Sequence, residues 1–220
     1  MRNKSTRHFQ LEDIQAMDKV YRLNLINCVT GFKSANLIGT RNSSGVNNLA
    51  TFSSVTHLGS NPPMVGFVLR PTVVPRHSYE NILESGYYTI NHIGRHMIQR
   101  AHYCSAKFEE NQSEFEKCQL NPAFLQYFPA PFVEESPIKM GLKFEEEIEI
   151  RSNGTRLIVG RIEHMFIDKN WIDDRGMIDL DHAGTVAISG LNNYHQTERI
   201  GSYPYARVEE LPEVFSDEGL

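Results

Sequence analysis

Residues Gly45–Pro63 read GVNNLATFSSVTHLGSNPP, and the apolar run Met64–Leu69, MVGFVL, follows at once. The first part packs small and hydroxyl residues (Ala50, Thr51, Ser53, Ser54, Thr56) around one aromatic, Phe52, and stops at Pro62–Pro63. A strand that only pairs would use bulkier β-branched residues. Small residues let a flat ligand approach the backbone, while hydroxyls and amide N–H groups supply donors to its polar edge. Further on, Val74–Ile82 reads VPRHSYENI and sets Arg76, His77 and Ser78 just ahead of a short helical pattern. Backbone donors at a helix N-terminus with cationic and hydroxyl side chains nearby suit a phosphate. A flat polar-edged ring and a phosphate at two successive sites together suggest flavin mononucleotide (FMN). Ser78 can equally be read as an ordinary N-cap. The two roles are compatible, because an N-cap hydroxyl and the first helical N–H groups face the same place. Glu80 argues against a phosphate unless its side chain turns away, since a carboxylate there already complements the helix dipole.

The segments NNLATFSSVTHLGSNPPMVGFVLRP (47–71), RHSYENI (76–82) and GYYTINHI (86–93) resemble the flavin reductase-like, FMN-binding split-barrel family, especially its flavoredoxin-like branch. The family pattern is an N-x-A-x-F-S segment, a Pro-Pro pair, an apolar strand, a T-x-x-N-I segment and a strand ending near V-N. Its counterparts are Asn48–Ser53, Pro62–Pro63, Met64–Leu69, Ser78–Ile82 and Tyr88–Asn91, with Ser78 keeping the hydroxyl of the usual threonine. The resemblance spans about Arg22 to Arg207. It implies a mainly β fold with peripheral helices, a six-stranded antiparallel split barrel of Greek-key topology. It also implies FMN as cofactor, held by Asn48, Leu49, Ala50, Thr51, Phe52, Ser53 and Ser54 at the ring or ribityl chain and by Arg76, His77 and Ser78 at the phosphate. Asn81 is expected to orient the loop. The resemblance further implies a homodimer with FMN sites at the subunit interface and NADH or NADPH as reductant. Tyr194 and Arg199 of the tail SGLNNYHQTERIGSYPYARVEELP are candidates to reach the partner's flavin.

Size and composition set the bounds. The 220 residues suffice for one domain with a substantial core, with an N-terminal helix at about 8–21 and a helical insert at about 95–130. A net charge of −5 offers no basic field to a polyanion, so nucleic acid is not an expected partner. The N-terminal charges lack a following apolar h-region, and no apolar run approaches the roughly 20 residues that span a bilayer. Three scattered cysteines, Cys28, Cys104 and Cys118, do not make a disulfide framework, and a reducing cytoplasm is expected.

Apolar spacing at Leu11, Ile14, Met17 and Val20 predicts a helix over Leu11–Val20. Strands are expected at Ala35–Thr40, Leu49–Val55, Met64–Leu69 (buried on both faces) and Tyr87–Ile93. Tyr79–Ser85 reads as a two-turn helix ended by Gly86. His96–Phe108, Ser113–Cys118 and Asn121–Phe128 read as helical. Lys143–Arg151 alternates, with Phe144, Glu146, Ile148 and Ile150 on one face, and the turn SNG leads into its hairpin partner Thr155–Ile167. This pattern alone allows a barrel or a sandwich; the resemblance selects the split barrel.

The remaining motifs favour plain structural readings. His92, His96, His102 and Cys104 match no zinc spacing, so no metal is expected. Cys104 and Cys118 read as buried thiols acting as small hydrophobes. The acidic group Asp173, Asp174, Asp179 and Asp181 lacks the EF-hand order. No nucleophile or acid–base motif is visible, and no catalytic side chain is assigned. This suits a flavoenzyme, because the isoalloxazine carries the electron chemistry. The leading expectation is an NAD(P)H-dependent oxidoreductase that reduces flavin or another acceptor. The alternative is a non-enzymatic FMN electron carrier serving a protein partner. A relative of pyridoxamine-phosphate oxidase is a third reading.

Overall fold

A computed structural model describes residues 5–109 and 111–212. The chain opens with helices α1 (Leu11–Ala16) and α2 (Lys19–Val29), then strands β1 (Lys33–Ser34), β2 (Asn36–Arg41), β3 (Asn47–Phe52), β4 (Thr56–Ser60) and β5 (Pro63–Leu69). Helix α3 (His77–Ser85) leads to β6 (Tyr87–His92), and a 3-10 turn at Arg95–Met97 to α4 (Ile98–Tyr103). Next come α5 (Glu114–Lys117), β7 (Pro122–Ala123), β8 (Phe132–Val133), the hairpin β9 (Lys139–Ile150) and β10 (Thr155–Phe166), then β11 (Val186–Ser189) and β12 (Asn193–Gln196).

Seven strands form one sheet in the order β3-β2-β6-β9-β10-β5-β4, every pair antiparallel. Its two edge strands, β3 and β4, are consecutive in sequence, joined only by Ser53, Ser54 and Val55. A flat seven-stranded sheet is about 29 Å across, whereas four Cα steps reach at most about 14 Å. The sheet therefore curls until its edges nearly meet, which makes a barrel split between β3 and β4. Ser54 fastens the gap: its Oγ accepts from Val68 N–H at 3.0 Å and donates to Val68 O at 3.1 Å. The fold is thus the expected mainly β split barrel, with seven strands in the sheet where six were expected.

Ile38, Val65, Phe67, Leu69, Ile82, Tyr88, Ile90, Leu142 and Ile158 fill the barrel. Gly160 is required there, because a Cβ would run into the Tyr88 hydroxyl. Leu37, Leu49, Met97, Ala101, Phe115, Val133 and Ile188 form a second core between the outside of the sheet and the layer of α4, α5, β8 and β11.

Four local expectations need correction. The N-terminal helix breaks at Met17, whose backbone is extended, and restarts where the Asp18 carboxylate caps the N–H groups of Val20 and Tyr21. The helix expected at Asn121–Phe128 is absent. Pro122–Ala123 pairs with Phe132–Val133 instead, and Gln126 and Tyr127 have left-handed φ of 51° and 59°, which a right-handed helix excludes. In β5, Val65, Phe67 and Leu69 are buried while Val68 is 36% exposed, so only one face is fully covered. In β9 a bulge at Glu145 breaks the alternation, since Gly160 pairs with Phe144 and Val159 with Glu146. Phe144 packs against the barrel core, whereas Ile148 and Ile150 emerge on the outer face, 49% and 38% exposed.

Candidate functional site

Strand β3 is a sheet edge, paired only with β2. The Leu49 N–H points away from β2 and donates to Glu114 Oε2 at 2.9 Å. Backbone direction alternates along a strand, so the Thr51 N–H lies on the same free edge, and just past the strand end the Ser53 N–H bonds nothing among the described residues. Side chains alternate between the faces. Asn48 and Phe52 face α3 and the barrel, whereas Leu49 and Thr51 face α4 and α5. Leu49 is fully buried and offers only its backbone. The Thr51 hydroxyl donates to Ala101 O at 2.6 Å, Ser54 is occupied at the barrel seam, and Phe52 meets Phe67 edge-on at 5.0 Å. Ala50 and Ser53 are half-buried, and the Ser53 hydroxyl has no partner among the described residues. The strand thus presents backbone donors between two packed layers.

Helix α3 begins beside the start of this edge. Asn48 Nδ2 donates to Ser78 Oγ at 2.9 Å and to Thr40 Oγ1 at 3.3 Å, and Asn81 Nδ2 donates to Thr40 Oγ1 at 3.0 Å. These buried bonds join β2, β3 and the first turn of α3, and Asn81 acts as an orienting residue. On the other side Tyr79 donates to Glu147 at 2.7 Å, Arg156 pairs with the same carboxylate at 2.7 Å, and Arg156 lies over the Tyr79 ring. The helix is therefore pinned at both flanks.

Its N-terminus retains donors. The backbone N–H groups of His77 and Ser78 bond nothing among the described residues. Arg76 holds its backbone N–H on Glu80 Oε1 at 3.3 Å, so the Glu80 carboxylate folds back onto the N-cap, against the condition set above for a phosphate there, but it takes only the Arg76 N–H and leaves those of His77 and Ser78 open. The Arg76 guanidinium forms no ion pair among the described residues. Its Nη2 reaches Pro71 O at 3.4 Å, and its Nε is buried without a partner. The structure thus brings Asn48 and Ser78 into contact with Arg76 and His77 adjoining, while Ser53 and Ser54 lie at the far end of the strand. The row from Asn48 to Ser54 is about 20 Å long.

Glu114 was not legible in the sequence. It is 6% exposed and lies 65 residues from its partner Leu49. Burial raises its carboxyl above the usual range, opposed by the Leu49 N–H bond, its own backbone N–H and the charge of His77. Cys104 and Cys118 share its core and touch, and burial pushes both thiols up, so they are inert small hydrophobes as expected. Burial pushes His92 down to about 4 and keeps it neutral. Among the described residues no group of three or more His, Cys, Asp or Glu is placed to hold a metal ion.

A cavity of about 340 Å³ opens beside Asn47, walled by Ser113, Phe115 and Leu120. A second, of about 490 Å³, lies between Arg95, His96, Gln99, His102 and Tyr194, with His102 Nδ1 3.3 Å from the Tyr194 hydroxyl. Residues 50–54 line neither. The β3 edge is an open face.

Comparison with known proteins bears on this arrangement. The family model for the flavin reductase like domain matches residues 32–183, from β1 through the hairpin to the approach of β11. The chain belongs to the flavin reductase like family. A proposed flavin reductase with a split barrel domain from Shewanella frigidimarina is 44% identical, with a TM-score of 0.88 over 91% of this chain and all of that one. Nitrilotriacetate monooxygenase component B from Bacillus cereus (18% identical, TM-score 0.79, 90% of this chain and all of that one) shares the fold. So does the flavoredoxin of Desulfovibrio vulgaris (23% identical, TM-score 0.68, 82% of this chain and 93% of that one). Within the family fold, the free edge of β3 and the N-terminus of α3 are two adjoining sets of backbone donors without partners among the described residues.

Proposed function

We propose that this chain binds FMN along the free edge of β3, with the phosphate at the N-terminus of α3. It then acts as an oxidoreductase that passes reducing equivalents from NADH or NADPH to free flavin or another acceptor. One observation carries the reading: unspent N–H donors at Thr51 and Ser53 run toward unspent donors at His77 and Ser78, where the Arg76 Nε is buried without a partner. A buried guanidinium nitrogen without an acceptor is costly, and a phosphate oxygen supplies one. Donors along the β3 edge suit the polar rim of an isoalloxazine, and Ala50 and Ser53 leave room for close approach. When bound, FMN supplies the two-electron chemistry for which the chain has no side-chain machinery. The protein's part is positional. The Asn48–Ser78–Thr40–Asn81 network fixes the phosphate end relative to the strand, and Ser54 holds the far end against β5.

An open edge gives a ring only one wall, which favours a homodimer that supplies the other. Leu58, Val68, Ile148 and Ile150 make a contiguous exposed apolar strip on the outer hairpin face, the natural seat of the contact. Among the described residues no helix is long and apolar enough to cross a membrane, and the free thiols fit a reducing cytoplasm.

Anaerobic mixing of the FMN-loaded protein with NADH or NADPH tests the activity. Rapid loss of flavin absorbance is expected. A protein that binds FMN yet stays oxidised is an electron carrier, and one that takes up no FMN overturns the reading.

A further inference from the structure

Glu114 is a buried carboxyl group with no lysine or arginine paired to it among the described residues. It reaches across from α5 to the Leu49 N–H at 2.9 Å, and among the described residues the basic side chain acting on it is His77 at the start of α3. This contact does two things to the β3 edge. It consumes the Leu49 donor, so the first free edge donor beyond it is Thr51, two residues or about 6.8 Å along the strand. When ionised, the carboxylate also places a negative charge beside that edge, in a low-dielectric layer where a charge acts with little screening.

We propose that Glu114 is a positioning and charge-setting residue that lowers the reduction potential of the flavin bound at the β3 edge. The inference rests on the flavin reading above. Taking up two electrons and one proton converts FMN to an anion, with its charge at the ring's N1–C2=O edge. N–H donors along β3 favour that anion, and the Glu114 carboxylate opposes it. The site therefore holds oxidised FMN firmly and reduced FMN less so, as a protein that hands reduced flavin to an acceptor requires.

The substitution Glu114→Gln separates charge from anchoring, because the glutamine carbonyl still accepts from Leu49 N–H. The variant should bind oxidised FMN within about threefold of wild type and hold reduced FMN about tenfold more tightly. That ratio corresponds to a rise of about 30 mV in the two-electron midpoint potential, read by equilibration with a redox dye. Glu116→Gln, on the exposed side of the same helix, should leave the potential unchanged. Coupling is reciprocal, so reducing the flavin on wild-type protein should raise the proton affinity of the Glu114 carboxyl about tenfold. That titration, followed by carboxyl 13C resonance, needs no variant to fold. A Glu114→Gln protein that binds FMN with an unchanged potential overturns the assignment, as does a Glu114 resonance indifferent to flavin reduction. Failure of wild-type protein to take up FMN overturns instead the flavin reading beneath it.

Discussion

Replacing Arg76 with alanine should weaken FMN binding far more than riboflavin binding, because the two ligands differ only in the phosphate. The structure sets the size of the effect. Arg76 spends no charge on an ion pair among the described residues, its Nη2 makes only a long 3.4 Å contact with Pro71 O, and its Nε is buried and unmatched. Nothing strong is lost within the protein when the side chain goes, so the ligand bears the change. A charge-assisted hydrogen bond contributes about 1.5–3 kcal/mol, a loss of ten- to hundredfold in FMN affinity. Riboflavin affinity should move by less than about threefold on the same reasoning. The backbone donors of His77 and Ser78 remain, so binding is weakened, not abolished. Flavin fluorescence quenching, titrated with both ligands against both proteins, reads the result. Equal losses for FMN and riboflavin would mean that Arg76 supports the loop or the ring, and the phosphate would have to lie elsewhere.

Gly160→Ala drives a methyl group into the Tyr88 hydroxyl in the barrel core and should cost about 1–3 kcal/mol, lowering Tm by about 3–10 °C; an unchanged melting curve would show that Tyr88 moves freely. Ile148→Asp places a second acid beside Glu146 on the exposed hairpin face and should shift a dimer to monomer in sedimentation; a persistent dimer would put the interface on another surface. Ser78→Ala removes the nearer of the two acceptors of Asn48 Nδ2 and should cost about 1 kcal/mol of stability, with a smaller loss of FMN affinity than Arg76→Ala; the reverse order of affinity losses would assign the phosphate to the hydroxyl.

Much of the fold could be read locally. Gly86 adopts the left-handed φ of 74° that ends α3 where the sequence placed the stop, and β2, β3, β6 and the hairpin fall close to the expected ranges. Closure of the barrel also follows from a short-range fact, the three-residue span between two edge strands. What escaped the sequence was non-local or a matter of one residue. The bulge at Glu145 reverses the faces of Ile148 and Ile150 although every residue type is suited to a plain strand. The break at Met17 hides inside a continuous apolar periodicity, and only the capping side chain of Asp18 reveals it. At Pro122–Ala123 a pairing with β8 outweighs the local helical pattern. The candidate site divides in the same way. Asn48 and Ser78 were legible as polar residues in a binding pattern, but their mutual bond depends on the packing of α3 against β3. Glu114 had no signal, since a Ser-Glu pair before a short helix reads as a solvent-facing first turn, and only the tertiary fold brings it to Leu49.

The central claim is that the free edge of β3 and the first turn of α3 hold one FMN. A titration of 15N-labelled protein with FMN, followed at the backbone amides, tests it most directly. The amides of Thr51, Ser53, His77 and Ser78 should move together at one saturation point, while the Leu49 amide, already bound to Glu114, shifts least among the outward-facing β3 amides. FMN binding that leaves all four resonances in place would contradict the account.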